Sequence, residues 1–208
     1  MIRQPNNSTR SFVMKIEFRD LRADEIEVRV QSIKKSRNSE NYGAILLFYK
    51  DARCDMNILD ETVSPSGWKR EHYQVKESMF CRVSIWDEEK KQWVDKSDCG
   101  TESNTEAQKG ESSDSFKRAC FNWGIGRELY SAPFTYVPPE GIRTYDTKRK
   151  DKYGEPVFAS NDHFSVEEIK IIDKKIVAVK VRNDSLKRTV FSFGYDEKPQ
   201  FTRAEPRQ

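Results

Sequence analysis

Hydropathy patterning along this 208-residue chain predicts an α+β fold: a three-strand antiparallel meander covered by a long helix (a β-β-β-α core) with a small C-terminal β appendage. Three observations lead there. Apolar residues alternate from Trp68 to Asp98, take helical spacing between Thr105 and Tyr130, and alternate again in three short runs after Phe164. With 36% hydrophobic and 34% charged residues the core must be compact and much of the surface solvated charge, while 12% aromatic residues argue against wholesale disorder.

In chain order, residues 1–19 read as a flexible N-terminus. Asp20 to Val30, with Leu21, Ile26 and Val30 set among charges, predicts a short amphipathic helix begun by Asp20. Gly43 to Tyr49 is a continuous apolar run of strand length. Ala52, Met56, Leu59 and Val63 follow at helical spacing until Ser64-Pro65-Ser66-Gly67 stops them. The meander then sets Tyr73 and Val75, next Met79, Cys81, Val83 and Ile85, and finally Trp93 and Asp95 beyond the turn Asp87-Glu88-Glu89-Lys90. Behind it, the long helix carries Phe116, Ala119, Cys120 and Trp123 on one stripe, enough to cover a sheet face. Residues 20–137 form the predicted core, 138–163 a linker or loop, 164–195 the β appendage, and 196–208 a flexible tail.

Composition narrows the function classes. Lys plus Arg is 37 against 34 Asp plus Glu, a net +3 that permits a polyanion partner without demanding one. No apolar run approaches the roughly 18 residues of a membrane span, and the N-terminus lacks a signal-peptide stretch, so a cytoplasmic protein with no membrane partner is expected. Cys54, Cys81, Cys99 and Cys120 form no C-x-x-C pair and read as buried free thiols. With His72 and His163 as the whole histidine complement, no metal site and no cofactor is expected.

Familiar catalytic strings are missing. There is no P-loop, Gly124-Ile125-Gly126 lacks the third glycine of a dinucleotide fingerprint, and no nucleophile motif accompanies the histidines. Asp162 with Glu168-Ile169-Lys170 looks like the acidic-x-lysine end of a metal-dependent nuclease site. The short separation favours surface charges on an edge strand. Between Asp173 and Val190, six Lys or Arg against two acids make either a second basic surface or the solvated face of a small sheet.

The long helix is more informative. With Phe116 at zero, Lys117, Asp114 and Arg118 fall at about 100°, 160° and 200° on the far side of the helix. Asp114 could pair with both cations as an ordinary solvated face, or the cations could meet phosphates. The string from Lys109 to Ala119, K-G-x-x-S-D-x-F-K-R-A, continues to Asn122-Trp123-Gly124-Ile125-Gly126. It resembles the signature helix of the Rad52-like single-strand annealing proteins, closest to the bacteriophage Sak and bacterial DdrA branch. Two further segments join the resemblance: the helix end Asn57 to Glu61 running through a turn into Gly67-Trp68, and the strand Arg82-Val83-Ser84-Ile85 with its exit from Asp95 to Gly100.

The resemblance spans about Asp20 to Pro133. It implies a β-β-β-α protomer assembled as a homo-oligomeric ring or arc that binds single-stranded DNA by its backbone and anneals complementary strands without nucleotide hydrolysis, rather than an enzyme. It also implies a phage-encoded recombinase acting in DNA repair and recombination in a bacterial cytoplasm, beside a single-stranded-DNA-binding protein. By position, Lys117 and Arg118 would contact phosphates, with Lys109 and Arg53 as further DNA-binding candidates. Phe121 stands where relatives place another arginine, and Ser64-Pro65 replaces an aromatic-bearing turn. The alternatives are the metal-dependent nuclease and a scaffold module that binds single strands without annealing them.

Overall fold

A computed structural model describes residues 16–37, 40–101 and 107–196, with the side chains of 107–109 left out. The predicted loose ends lie largely outside these residues. In chain order the elements are β1 Glu27–Lys35, β2 Tyr42–Tyr49, α1 Ala52–Val63, β3 Trp68–Val75, β4 Ser78–Asp87, β5 Gln92–Cys99 and α2 Ala107–Trp123. They continue as β6 Thr135–Val137, β7 Tyr145–Lys150, β8 Pro156–Ala159, β9 Phe164–Ile172, β10 Lys175–Asn183 and β11 Arg188–Phe193. The predicted fold class is thereby corrected: the described residues are mostly β, with eleven strands in three sheets against two α-helices.

Among the described residues two compact units share the chain, one of residues 16–18 with 57–119 and one of residues 19–56 with 120–196. The second holds a six-stranded sheet of order β11-β10-β9-β1-β2-β6. Its end strands β6 and β11 approach one another, so the sheet nearly closes like a barrel. The three C-terminal strands are thus not an appendage. β9 pairs with β1 through Glu27↔Ser165 and Val28↔Phe164, joining them to the N-terminal hairpin β1–β2.

Local chemistry accounts for the differences from expectation. The helix expected from Asp20 shrinks to a 3-10 turn at Ala23–Glu25, because Val28 and Val30 alternate with the exposed Glu27, Arg29 and Gln31 in strand fashion. A register shift between Val30 and Ser32 breaks that alternation and masks it in the sequence. The charge-dense stretch read as a linker contains the β7–β8 hairpin. Ala44, Leu46 and Phe48 of β2, with Val166, Val179, Val181 and Val190, fill the core of this unit.

Two buried acids organise it further. The Lys50 and Asp55 side chains form an ion pair at 1% and 0% exposure, and the Lys50 ammonium also sits 4.4 Å from the Phe121 ring centroid. Gly126 makes room for that lysine. Its φ of +69° suits glycine, and a Cβ there would lie 2.3 Å from Lys50 Cε. Glu128, fully buried, accepts the Leu21 N–H through Oε1 at 2.7 Å and so ties the chain entering β1 to the turn after α2.

Asp162, whose side chain is 2% exposed, accepts the Arg143 N–H at 2.8 Å, its guanidinium at 2.7 Å and the Asn183 amide at 2.9 Å. Burial alone would raise its pKa, but these donors outweigh it and hold the carboxyl below its ordinary value. A depressed folded pKa adds stability that is present above the ordinary carboxylate range and lost as pH falls through the folded value. Asp162→Asn should therefore flatten the acid limb of the stability curve, read as urea midpoints between about pH 2 and 5. An unchanged acid limb would contradict this assignment.

The first unit is built on the three-stranded sheet β3-β4-β5. Strand alternation puts Cys81, Val83 and Ile85 on one face, and their register partners there are His72, Arg70 and Trp68 on β3 and Asp98, Lys96 and Val94 on β5. Ile58, Leu59, Phe116 and Ala119 complete the core. The four cysteines are free, and burial pushes the Cys54 thiol up to about 12 and that of Cys81 to about 11, which makes these two structural rather than reactive.

Candidate nucleic-acid interface

α2 is held on the meander by polar as well as apolar contacts. Phe116 lies 6.1 Å from the Trp68 ring and beneath the Arg70 guanidinium at 4.9 Å. The Trp68 indole N–H donates to Asp60 Oδ1 at 2.6 Å, fixing the ring from the end of α1. Glu111 Oε1 accepts the Met79 N–H at 2.6 Å, and His72 Nε2 meets the Ser112 carbonyl at 3.1 Å. Gly100 permits this approach, since a Cβ there would stand 2.1 Å from the Glu111 carbonyl oxygen.

These contacts widen the buried face of α2 relative to expectation. Glu111 and Ser115 are buried alongside Phe116, Ala119 and Cys120, so the covered arc is wider and more polar than the apolar stripe. Lys117 stays half-buried with no acid partner among the described residues. Arg118 lies at the margin and reaches the sheet, its Nη2 3.4 Å from Asp98 Oδ1. Asp114 takes neither cation. It accepts the Thr101 N–H and hydroxyl at 3.0 and 3.1 Å, so the simple helix-face ion pairing of Asp114 with Lys117 and Arg118 does not occur.

Of the other candidates, one shares the helix of this pair and one does not. Lys109 is on the first turn of α2, but its side chain lies outside the described ones. Arg53 belongs to the other compact unit, where its guanidinium, 81% exposed, pairs with Asp51 at 2.9 Å beside the start of α1. Sequence reasoning passed over Arg70 and Lys96, which the strand register places at the two edges of the sheet face bearing Asp98. Their period-two spacing against Val83 is the signal that identifies them.

Three of the six cations between Asp173 and Val190 are paired with acids. Lys180 pairs with Glu168 at 3.1 Å, Arg182 with Glu167 at 3.5 Å, and Lys174 with Asp20 at 2.8 Å. The two acids of the nuclease reading are therefore already engaged, Asp162 by Arg143 and Asn183, and Glu168 by Lys180. Among the tryptophans, Trp68 belongs to the core contact with Phe116, while Trp93, 37% exposed, meets Trp86 edge-on at 5.5 Å. Among the described residues no helix is long and apolar enough to cross a membrane.

The cation-bearing helix α2 thus packs on the antiparallel meander β3-β4-β5. The model of the Rad52/22 family double-strand break repair protein matches residues 15–140, which take in α1, the meander and α2. The chain belongs to that family. No curated protein and no solved structure matches it.

Proposed function

We propose that the protein binds single-stranded DNA by its backbone and anneals complementary strands during DNA repair and recombination, without hydrolysing a nucleotide. The observation that carries this reading is the family match over residues 15–140, because proteins of the Rad52 family bind single-stranded DNA and form oligomeric rings. Lys117 and Arg118 are the residues proposed to meet phosphates, with Lys109 and Arg53 as additional contacts. Cations on a helix braced by a sheet suit annealing, since holding the phosphates leaves base edges free to pair.

A ring or arc of protomers would align the same cations along one track and so compensate for a net charge of only +3. The resemblance to the Sak and DdrA branch supports a phage-encoded recombinase working in a bacterial cytoplasm beside a single-stranded-DNA-binding protein. The test is a gel assay in which two complementary labelled strands are mixed with the protein, with no nucleotide present, in magnesium and EDTA arms. Faster pairing of intact strands in both arms is the expected result. Metal-dependent shortening of a strand, abolished by Glu168→Ala, would replace this reading with the nuclease. Binding without acceleration would leave only a scaffold.

A further inference from the structure

Beyond residue 140, where the family match ends, the β7–β8 hairpin stands out among the charged surfaces. It is a two-stranded sheet of its own, pairing Tyr145↔Ala159, Asp146↔Phe158 and Lys150↔Pro156. Its base is anchored. The Phe158 ring stacks on Tyr42 of β2 with centroids 3.7 Å apart, and the Tyr145 hydroxyl donates to Asn161 Oδ1 at 3.2 Å.

Its tip is ordered by hydrogen bonds rather than by packing. Asp151 Oδ1 accepts the N–H groups of Tyr153 and Glu155 at 2.8 and 2.9 Å, and the Asp151 carbonyl accepts the Gly154 N–H at 3.1 Å. Gly154 closes the turn at φ +85°, a conformation costly for other residues. The Asp151 carboxylate is thus turned into the loop, and Lys148 is tied to Asp146 at 3.1 Å. What remains outward is mainly cationic, with Glu155 exposed beside it. Arg149, Lys150 and Lys152 are exposed with no acid partner among the described residues, and Tyr153 is 77% exposed, with the Lys152 ammonium 4.9 Å from its ring centroid.

An ordered loop that holds a tyrosine ring in water beside three unpaired cations matches a ligand with both negative charge and free π-faces. Single-stranded DNA has both, because its phosphates are evenly spaced and its bases are not stacked inside a duplex. An acidic protein surface would use the cations but leave the ring idle, and a duplex hides its base faces. We infer that the β7–β8 hairpin is a second contact for single-stranded DNA, in which Arg149, Lys150 and Lys152 bind phosphates and Tyr153 stacks on a base. This rests on the strand-binding reading above and adds to it a site outside the family-matched segment.

Fluorescence anisotropy of labelled oligo(dT) over a salt series, using the full chain, tests it. Replacing Arg149, Lys150 and Lys152 together by alanine should make the slope of log affinity against log salt shallower by about 2 per bound protomer, roughly 0.7 for each lost phosphate. Tyr153→Ala should weaken binding about tenfold and Tyr153→Phe should restore it. An oligonucleotide carrying iododeoxyuridine should photocrosslink to Tyr153 of the unmodified protein, a readout independent of whether the triple variant folds. A parent protein that binds oligo(dT) while the variants match its affinity and slope and no crosslink maps to the hairpin overturns this inference alone. So does equal competition by polyglutamate, or a hairpin-dependent preference for duplex. A parent that binds no single strand overturns the annealing reading and this one with it.

Discussion

Replacing Asp55 by alanine should destabilise the protein by about 3–5 kcal/mol, because it strands the Lys50 ammonium where its side chain is 1% exposed. Against the ~5–15 kcal/mol that holds a typical domain together, that is enough to leave much of the population unfolded at 37 °C. The loss comes from an uncompensated charge rather than from the worth of the pair, so removing both charges should behave differently. Lys50→Met with Asp55→Leu is expected to recover most of the lost stability, since apolar replacements of a buried pair are often neutral. Urea midpoints of the parent, the single variant and the double variant decide the matter. A single variant within about 0.5 kcal/mol of the parent would mean that the pair is hydrated in solution.

Lys117→Ala with Arg118→Ala should remove the proposed phosphate contacts while the fold persists. For two lost contacts in each bound protomer the salt slope on a single strand falls by about 1.4, and affinity drops with it. The stability cost is small: Arg118 and Asp98 form a partly exposed pair, of a kind worth about 0–1 kcal/mol, and Lys117 has no acid partner among the described residues. The same pair supplies a converse test. Asp98→Asn releases Arg118 from its acid and should tighten strand binding, whereas a purely structural Arg118 would show no gain. Equal affinity and slope in the double variant, at unchanged circular dichroism and oligomer size, would remove Lys117 and Arg118 from the interface.

The legible parts of this fold are those whose signal is local. The apolar run in β2, the helical spacing in α1, the alternation of β4 and the Phe116 stripe of α2 each lie within one element and were read from it. The start of β1 reads as the end of a helix because its alternation is interrupted at the register shift and diluted by charge. The β7–β8 hairpin was hidden by its own lysines, and the fold class failed because nothing in β9 announces that its partner is β1. The site shows the same division. The proposal of Lys117 and Arg118 follows from helical angle and from the K-R-A string, but the Asp98 partner and the capture of Asp114 by Thr101 join segments that only tertiary structure brings together.

The pairing of Val28 with Phe164 has a consequence for how the protein is made. A ribosome, adding roughly 5–20 residues per second, delivers β1 and β2 well before β9. Until then one edge of β1 presents bare N–H and C=O groups to any passing strand, the kind of template that seeds aggregation. The nascent hairpin carries Arg29, Lys34 and Lys35 on β1, and such charges oppose edge-to-edge association while the chain waits. Completion of the large sheet therefore waits on β9, through contacts between distant parts of the chain, and a polypeptide cut after residue 140 would hold the family-matched segment with that edge still open.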